Sequence, residues 1–203
     1  MARNMQPIVK RCRALGISPA VMGYTEKSKL GSTKRNPNAK KRTKKSEYAT
    51  QLNEKQKVKF VYGIQEKQFR AYYEKAAKAQ GITGEVLLTT IERRLDNVIF
   101  RLGLAKTRRE ARELVSHGHY TVNGSVVNIP SFLVKPGMVI GVKETSRSIE
   151  RIKGFMEEDA FRGVPKWLSY DAKKGEGSVL AMPARDDIDF EVEEHLIVEL
   201  YSK

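Results

Sequence analysis

Apolar residues along this chain recur mostly at helical spacing and switch to short strand-like runs only in its third quarter. From Ser46 onward, Leu52, Gln56, Lys59 and Phe60 alternate faces in a helix-compatible way, and Tyr62-Gly63 closes the run. The segment Glu66 to Gln80 carries Phe69, Tyr72, Tyr73 and Ala76 as one apolar stripe, which predicts a helix stopped by Gly81. That periodicity assigns Tyr72 and Tyr73 to packing rather than to base stacking. Thr83 to Ile91 begins another helix, with the Thr83 hydroxyl as its expected cap.

The next two runs combine apolar and arginine positions. At 3.6 residues per turn, Arg93, Arg94, Asn97 and Arg101 fall within an arc of roughly 100°, and Leu95, Val98, Ile99 and Leu102 occupy a separate one. Gly103 stops this helix. The following run opens with Thr107 and Glu110 at capping-box spacing. Arg108, Arg109 and Arg112 then share an arc beside the apolar Ala111, Leu114 and Val115. Arginines in a first turn oppose the helix dipole at a cost of roughly 0.3 kcal/mol or more each, which an external anion offsets. Pairing with Glu110 and Glu113 is the bland alternative, but arginines outnumber acids here.

His117-Gly118-His119 ends that helix. Asn123-Gly124, flanked by Val122, Val126 and Val127, is the pair demanded by a type I′ hairpin. Lys135-Pro136-Gly137-Met138 reads as a type II turn leading into a strand at Val139 to Val142. Beyond Arg147 the pattern gives a short helix from Ile149 to Asp159 and a Pro165 to Tyr170 segment with Trp167 in the core. A flexible turn is expected at Gly175-Glu176-Gly177. The apolar end from His195 to Tyr201 is too short to decide between strand and helix.

Charge sharpens the picture. The 203 residues carry a net charge of +14, divided as +12 over residues 1–45, +1 over 46–92, +7 over 93–153 and −6 over 154–203. A chain so basic expects a polyanion, nucleic acid first. Residues 1–45 hold three prolines, three glycines and the polar run Thr33 to Lys45, so self-repulsion should leave them without a fold of their own, as an arm that orders against phosphates. No apolar run approaches 18 residues, so no transmembrane helix is expected, and no basic helix carries the wide apolar face of a membrane-surface binder. The N-terminus lacks the apolar core of a secretory signal, and the lone Cys12 excludes an internal disulfide, which makes a reducing cytoplasm the expected compartment.

No catalytic constellation is present. The chain has no phosphate loop, no His-Glu-x-x-His metal motif and no nucleophile-elbow serine, so no enzyme activity and no cofactor are expected. His117 and His119, two residues apart, make a poor metal pair, and either hydrogen-bond at the helix end or approach phosphate. Cys12 alone cannot build a four-ligand zinc site. An RNA-modifying enzyme would need a further catalytic domain, for which there is no motif.

Several segments together resemble bacterial small-subunit ribosomal protein four, in order and along the whole chain. They include Ser46-Glu-Tyr48, Glu54-Lys-Gln-Lys57, Tyr62-Gly63, Thr83-Gly-Glu85, Glu92-Arg-Arg-Leu-Asp-Asn-Val98, Arg101-Leu-Gly103, His117-Gly-His119, Val122-Asn-Gly124, Ile129-Pro-Ser131 and Leu196-Ile-Val-Glu199. The resemblance implies an α+β fold: a basic extended N-terminal arm (1–45), a mostly helical domain (46–92, completed by about 175–203), and an inserted RNA-binding module of two helices plus antiparallel strands with its following segment (93–174).

It also implies a primary binder of the 5′ domain of small-subunit ribosomal RNA. Such a protein nucleates assembly of the subunit body, contributes to translational accuracy and contacts small-subunit protein five. A translational regulator bound to its own messenger RNA, or a general RNA chaperone, is the alternative use of the same surface. The expected RNA contacts are Arg3, Arg11, Arg13, Lys40, Lys41, Arg42, Lys44 and Lys45 of the arm, and Arg93, Arg94, Arg101, Arg108, Arg109, Arg112, His117 and His119 of the module. Many relatives hold zinc in the arm with four cysteine or histidine ligands. Here residues 1–45 contain one cysteine and no histidine, so a zinc-free arm is expected.

Overall fold

Two apolar cores organise the chain, one helical and one built on a small sheet. The structure is a computed structural model that describes residues 7–24, 46–157, 163–171 and 174–202.

The helical core is formed by α1 (Ile8–Leu15), α2 (Glu47–Tyr62), α3 (Glu66–Lys78), α4 (Thr83–Glu92) and the last helix, α8 (Glu194–Ser202). Ser46 caps α2 by accepting the Ala49 N–H at 3.2 Å, and Gly63 ends it in the left-handed region that a side chain disfavours. The inward face of α2 is Gln51, Glu54, Val58 and Val61, with Leu52 only half-buried. Phe69 and Ala76 bury the stripe expected of α3, and Tyr73 stacks on Tyr201 of α8 with ring centroids 4.6 Å apart. Thr83 is the first residue of α4 rather than its cap; Ile82 precedes it in extended backbone. The undecided C-terminal segment is helix α8. It packs closely on α4, where a Cβ at Gly84 would lie 2.7 Å from Cγ of Glu194.

The second core gathers α5 (Leu95–Arg101), α6 (Arg108–Ser116) and α7 (Glu150–Glu157) against a five-stranded antiparallel sheet. The strands are β1 (Tyr120–Val122), β2 (Ser125–Val126), β3 (Val139–Val142), β4 (Leu168–Asp171) and β5 (Glu176–Val179), in the order β2-β1-β3-β5-β4. Asn123 and Gly124 both take positive φ, 49° and 80°, as a type I′ hairpin requires. Tyr120 and Val122 of β1 face the core beside their partners Val142 and Ile140. Trp167 is buried in this core as expected.

Three expectations are corrected. Residues 7–24 are not an unfolded arm. Ile8, Cys12 and Leu15 recur at helical spacing, and α1 buries Cys12 and Leu15 in the helical core, with the Cys12 thiol 3.9 Å from the Met22 sulfur. Residues 25–45 lie outside the described residues. The chain does not return to the helical core near residue 175. Gly177 is no flexible turn but a strand residue pressed on Leu102, β5 pairs with β3, and the return comes at Ile188, Phe190 and Val192. Arg93 and Arg94 belong to no helix. The backbone is extended at Arg94, which bridges to Leu133, so α5 begins only at Leu95.

Candidate nucleic-acid interface

The arginines of α5 and α6 fold inward as well as outward, and their partners decide which. Asp96 is 2% exposed. Its carboxylate accepts from Nε and Nη2 of Arg94 at 3.0 and 2.8 Å, and from Nε and Nη2 of Arg112 at 2.9 and 2.7 Å. The Asn97 N–H adds a fifth hydrogen bond. Arg112 also donates to the carbonyls of Tyr62 and Gly63, at 2.9 and 2.6 Å, where α2 ends. Arg94 donates to the hydroxyl of Tyr72 on α3 at 2.8 Å. Asp96 is thus the hub of a network that ties the sheet module to two helices of the other core.

A second buried group lies beside it. Arg101 donates through Nε to Glu92 at 2.6 Å and pairs with Asp189 at 2.9 Å, while the Tyr62 hydroxyl donates to the same Glu92. Burial alone lowers the pKa of Arg94 and Arg101, but the carboxylates of Asp96, and of Glu92 and Asp189, outweigh it and raise both. Burial, reinforced by Glu92, pushes the Tyr62 phenol well above its ordinary range.

Arg108 is 5% exposed. It donates to the side-chain oxygen of Asn97 and to the Val21 carbonyl, both at 2.7 Å, and lies 4.3 Å over the Phe100 ring. With no carboxylate among the described residues bonded to it, burial and the nearby Arg101 lower its pKa. Arg93 is half-buried and donates to the Val134 carbonyl at 2.9 Å.

The exposed arginine face expected from the helical arcs is therefore corrected for Arg94, Arg101 and Arg108, which are interior side chains with internal partners. Arg112 keeps partial access, yet each of its nitrogens is engaged. For Arg94 and Arg101 the physical reason is countercharge, from the buried carboxylates of Glu92 and Asp96 and the more exposed one of Asp189, whereas Arg108 is held by neutral oxygens and the Phe100 ring. The expected capping box is only half formed. Thr107 accepts from the Glu110 N–H at 3.2 Å, but Glu110 turns to the Lys106 N–H and to Arg151 instead.

Other basic groups face outward. Arg109 on α6 is exposed, as are Lys10 and Arg13 on α1. Arg11 is half-buried and reaches Gln56 at 3.4 Å. Helices α1 and α6 flank one cleft, lined by Ile8, Met22, Tyr24, Tyr62, Arg109 and Arg112 among others. His117 is exposed at the end of α6, and His119 is half-buried. Arg3, Lys40, Lys41, Arg42, Lys44 and Lys45 lie outside the described residues.

Comparison with known proteins agrees with this architecture. The model of the ribosomal protein S4/S9 N-terminal domain matches residues 3–92, and that of the S4 domain matches residues 93–140. The chain is 53% identical to small ribosomal subunit protein uS4 of Agathobacter rectalis over 203 residues, covering all of both chains. It is 52% identical to the uS4 proteins of Fusobacterium nucleatum and Pelotomaculum thermopropionicum, again over the full length of each. The chain belongs to the uS4 family. It is accordingly an rRNA-binding protein of the small ribosomal subunit, a constituent of the ribosome in the cytoplasm.

Sequence reasoning missed the acidic partners, although Glu92 and Asp96 stand inside the arginine-rich segment where a pairing signal was visible. Asp189, 88 residues from Arg101 in sequence, gave no local signal. It also passed over Lys106, between α5 and α6, and Lys143 and Arg147, which follow β3.

Proposed function

We propose that this protein is a primary binder of the 5′ domain of small-subunit rRNA. Bound there, it nucleates assembly of the subunit body, meets small-subunit protein five and contributes to translational accuracy. The observation that carries this reading is the Asp96 hub. It fixes the orientation of the sheet module relative to the helical core, while α1 and α6, which meet at one cleft through Ile8 and Arg109, each carry exposed cations. Folded RNA hides its base edges in a narrow groove, so a protein that selects it reads the positions of phosphates. Two basic surfaces in fixed relation select a junction, whereas mobile ones would follow any duplex. Rigidity also spares the ordering cost at binding.

In this scheme the sixteen expected contacts divide by role. Lys10, which sequence reasoning did not single out, joins Arg11, Arg13, Arg109, His117, His119 and the basic residues of the arm in meeting the RNA backbone. Arg94, Arg101, Arg108 and Arg112 set the geometry from inside, and Arg93 anchors the crossing between the cores. Footprinting on 5′-domain rRNA tests the scheme against a scrambled RNA of the same length across a salt series. Localised protection that survives moderate salt is expected. Equal binding to both RNAs, lost together as salt rises, overturns it.

A further inference from the structure

The turn between α6 and β1 gathers basic side chains that the cleft does not use. His117 caps α6, Gly118 reverses the chain at φ 74°, and His119 leads into β1. The two imidazole rings lie 6.0 Å apart at 73°. Lys143, at the end of β3, donates its backbone N–H to the His119 carbonyl at 2.9 Å, so its side chain leaves the sheet beside that ring. Nδ1 of His119 is 3.0 Å from the hydroxyl of Ser146, which is 4% exposed, and this contact fixes the ring. Nε2 has no hydrogen-bond partner among the described residues. Val126 of β2 borders the turn, its Cγ1 lying 3.4 Å from where a Cβ at Gly118 would stand, and it is 50% exposed.

We propose that His117, His119 and Lys143 form a phosphate site for the RNA backbone whose charge is completed by a proton taken up on binding. The inference rests on the RNA-binding role proposed above and names a subsite of it. Three basic side chains held together repel one another unless an anion lies among them, and a protonated imidazole donates from both ring nitrogens. The exposed Val126 offers an apolar wall for the sugar that accompanies each phosphate.

Partial burial lowers the His119 pKa from the ordinary histidine value, and His117 from α6 and Lys143 from β3 add to it, so free His119 is mainly neutral at neutral pH. The adjoining acids are Glu113, one turn back on α6, and Glu144, next after Lys143. A bound phosphodiester reverses the balance and favours the imidazolium. Binding then takes up protons, and affinity rises as pH falls.

The test is binding of the full chain to a 5′-domain rRNA fragment between pH 8 and pH 5.5 at constant ionic strength. The same series is run on the His117→Gln/His119→Gln double variant and on Lys143→Gln. Linkage allows at most about tenfold in affinity per pH unit for each proton taken up. The expected result is an increase of about tenfold over the range for the wild type and an almost flat profile for the double variant. Lys143→Gln should retain the pH dependence while losing about one phosphate from the salt slope. Calorimetry in two buffers of different ionisation enthalpy reads the proton uptake directly. Identical pH profiles for wild type and double variant, with binding intact, overturn this inference alone. Absence of rRNA binding at every pH overturns the proposed function and this inference with it.

Discussion

Replacing Asp96 with asparagine keeps the side chain's size but removes the one charge that answers two guanidinium groups. The side chain of Asp96 is 3% exposed, that of Arg94 is 4% and that of Arg112 is 22%. Four guanidinium hydrogen bonds converge on the carboxylate, and an amide can accept on one side only. Breaking a buried ion pair by removing one partner costs about 3–5 kcal/mol, since the remaining charge stays desolvated. Arg112 retains some water and two backbone carbonyls, which places the expected loss near the lower end, about 3 kcal/mol. That is a large share of the roughly 5–15 kcal/mol that stabilises an ordinary domain.

Urea unfolding followed by two probes reads the effect. Trp167 is buried in the sheet module, so its fluorescence reports that core, while far-ultraviolet circular dichroism is dominated by the helices. In the wild type the two transitions should coincide, because the Asp96 hub couples the cores. In Asp96→Asn the midpoint should fall, and the fluorescence transition should separate from the helical one. Adding Arg112→Gln should cost little more, because the first change has already broken the interaction. A loss below about 1 kcal/mol with coincident transitions would refute the claim that this network joins the cores.

Two further outcomes follow from the same geometry. Glu66 is pulled up by partial burial, but hydrogen bonds from Lys59, Tyr201 and Lys55 outweigh this and hold its pKa at about 2. A folded-state pKa below the unfolded value of about 4.3 gives stability that is complete above that value and lost as pH falls toward 2. Because Glu66 is half-exposed, solvent screening limits the amount to roughly 0.5 kcal/mol. Stability curves of wild type and Glu66→Gln should differ near neutrality and converge near pH 2; a constant gap across that range contradicts the assignment. Gly23→Ala tests the docking of the N-terminal segment. Its Cβ would lie 2.0 Å from the Lys106 carbonyl oxygen, at φ 91°. Strain and overpacking together should cost about 2–4 kcal/mol and raise hydrogen exchange throughout α1. Unchanged exchange in α1 shows that the contact is dispensable.

Local patterns made much of this fold legible. The α3 stripe, the Asn123-Gly124 hairpin, the turn at Pro136-Gly137 and the core position of Trp167 each rest on neighbours in sequence, and the structure holds all of them. Other elements depended on distant partners. The buried face of α2 contains Gln51 and Glu54, so a hydrophobic count missed it; beside its local ion pair with Lys57, Glu54 accepts the Glu193 N–H, 139 residues away. High charge around Ile8, Cys12 and Leu15 hid α1, whose stripe faces α2 only once both are folded. The candidate site shows the same limit. Helical geometry put the arginines of α5 and α6 on common arcs, but it could not tell an arc facing water from one facing Asp96 and Glu92. The buried carboxylates of Glu92 and Asp96, joined by the more exposed Asp189 near the far end of the chain, decided that difference.

The most direct test of the central claim is the salt dependence of rRNA binding in two variants that remove basic residues of opposite role. Lys10→Gln/Arg13→Gln/Arg109→Gln removes exposed cations of α1 and α6, and Arg101→Gln removes an inward one. Binding is measured at a temperature where each variant keeps its native circular dichroism. The triple variant should lose affinity and about three units of slope in log affinity against log salt, roughly 0.9 per phosphate contact. Arg101→Gln should lower the unfolding midpoint but leave that slope unchanged. If Arg101→Gln, still folded, flattens the slope as the outward variant does, the buried arginines are themselves the RNA contacts and the account is wrong.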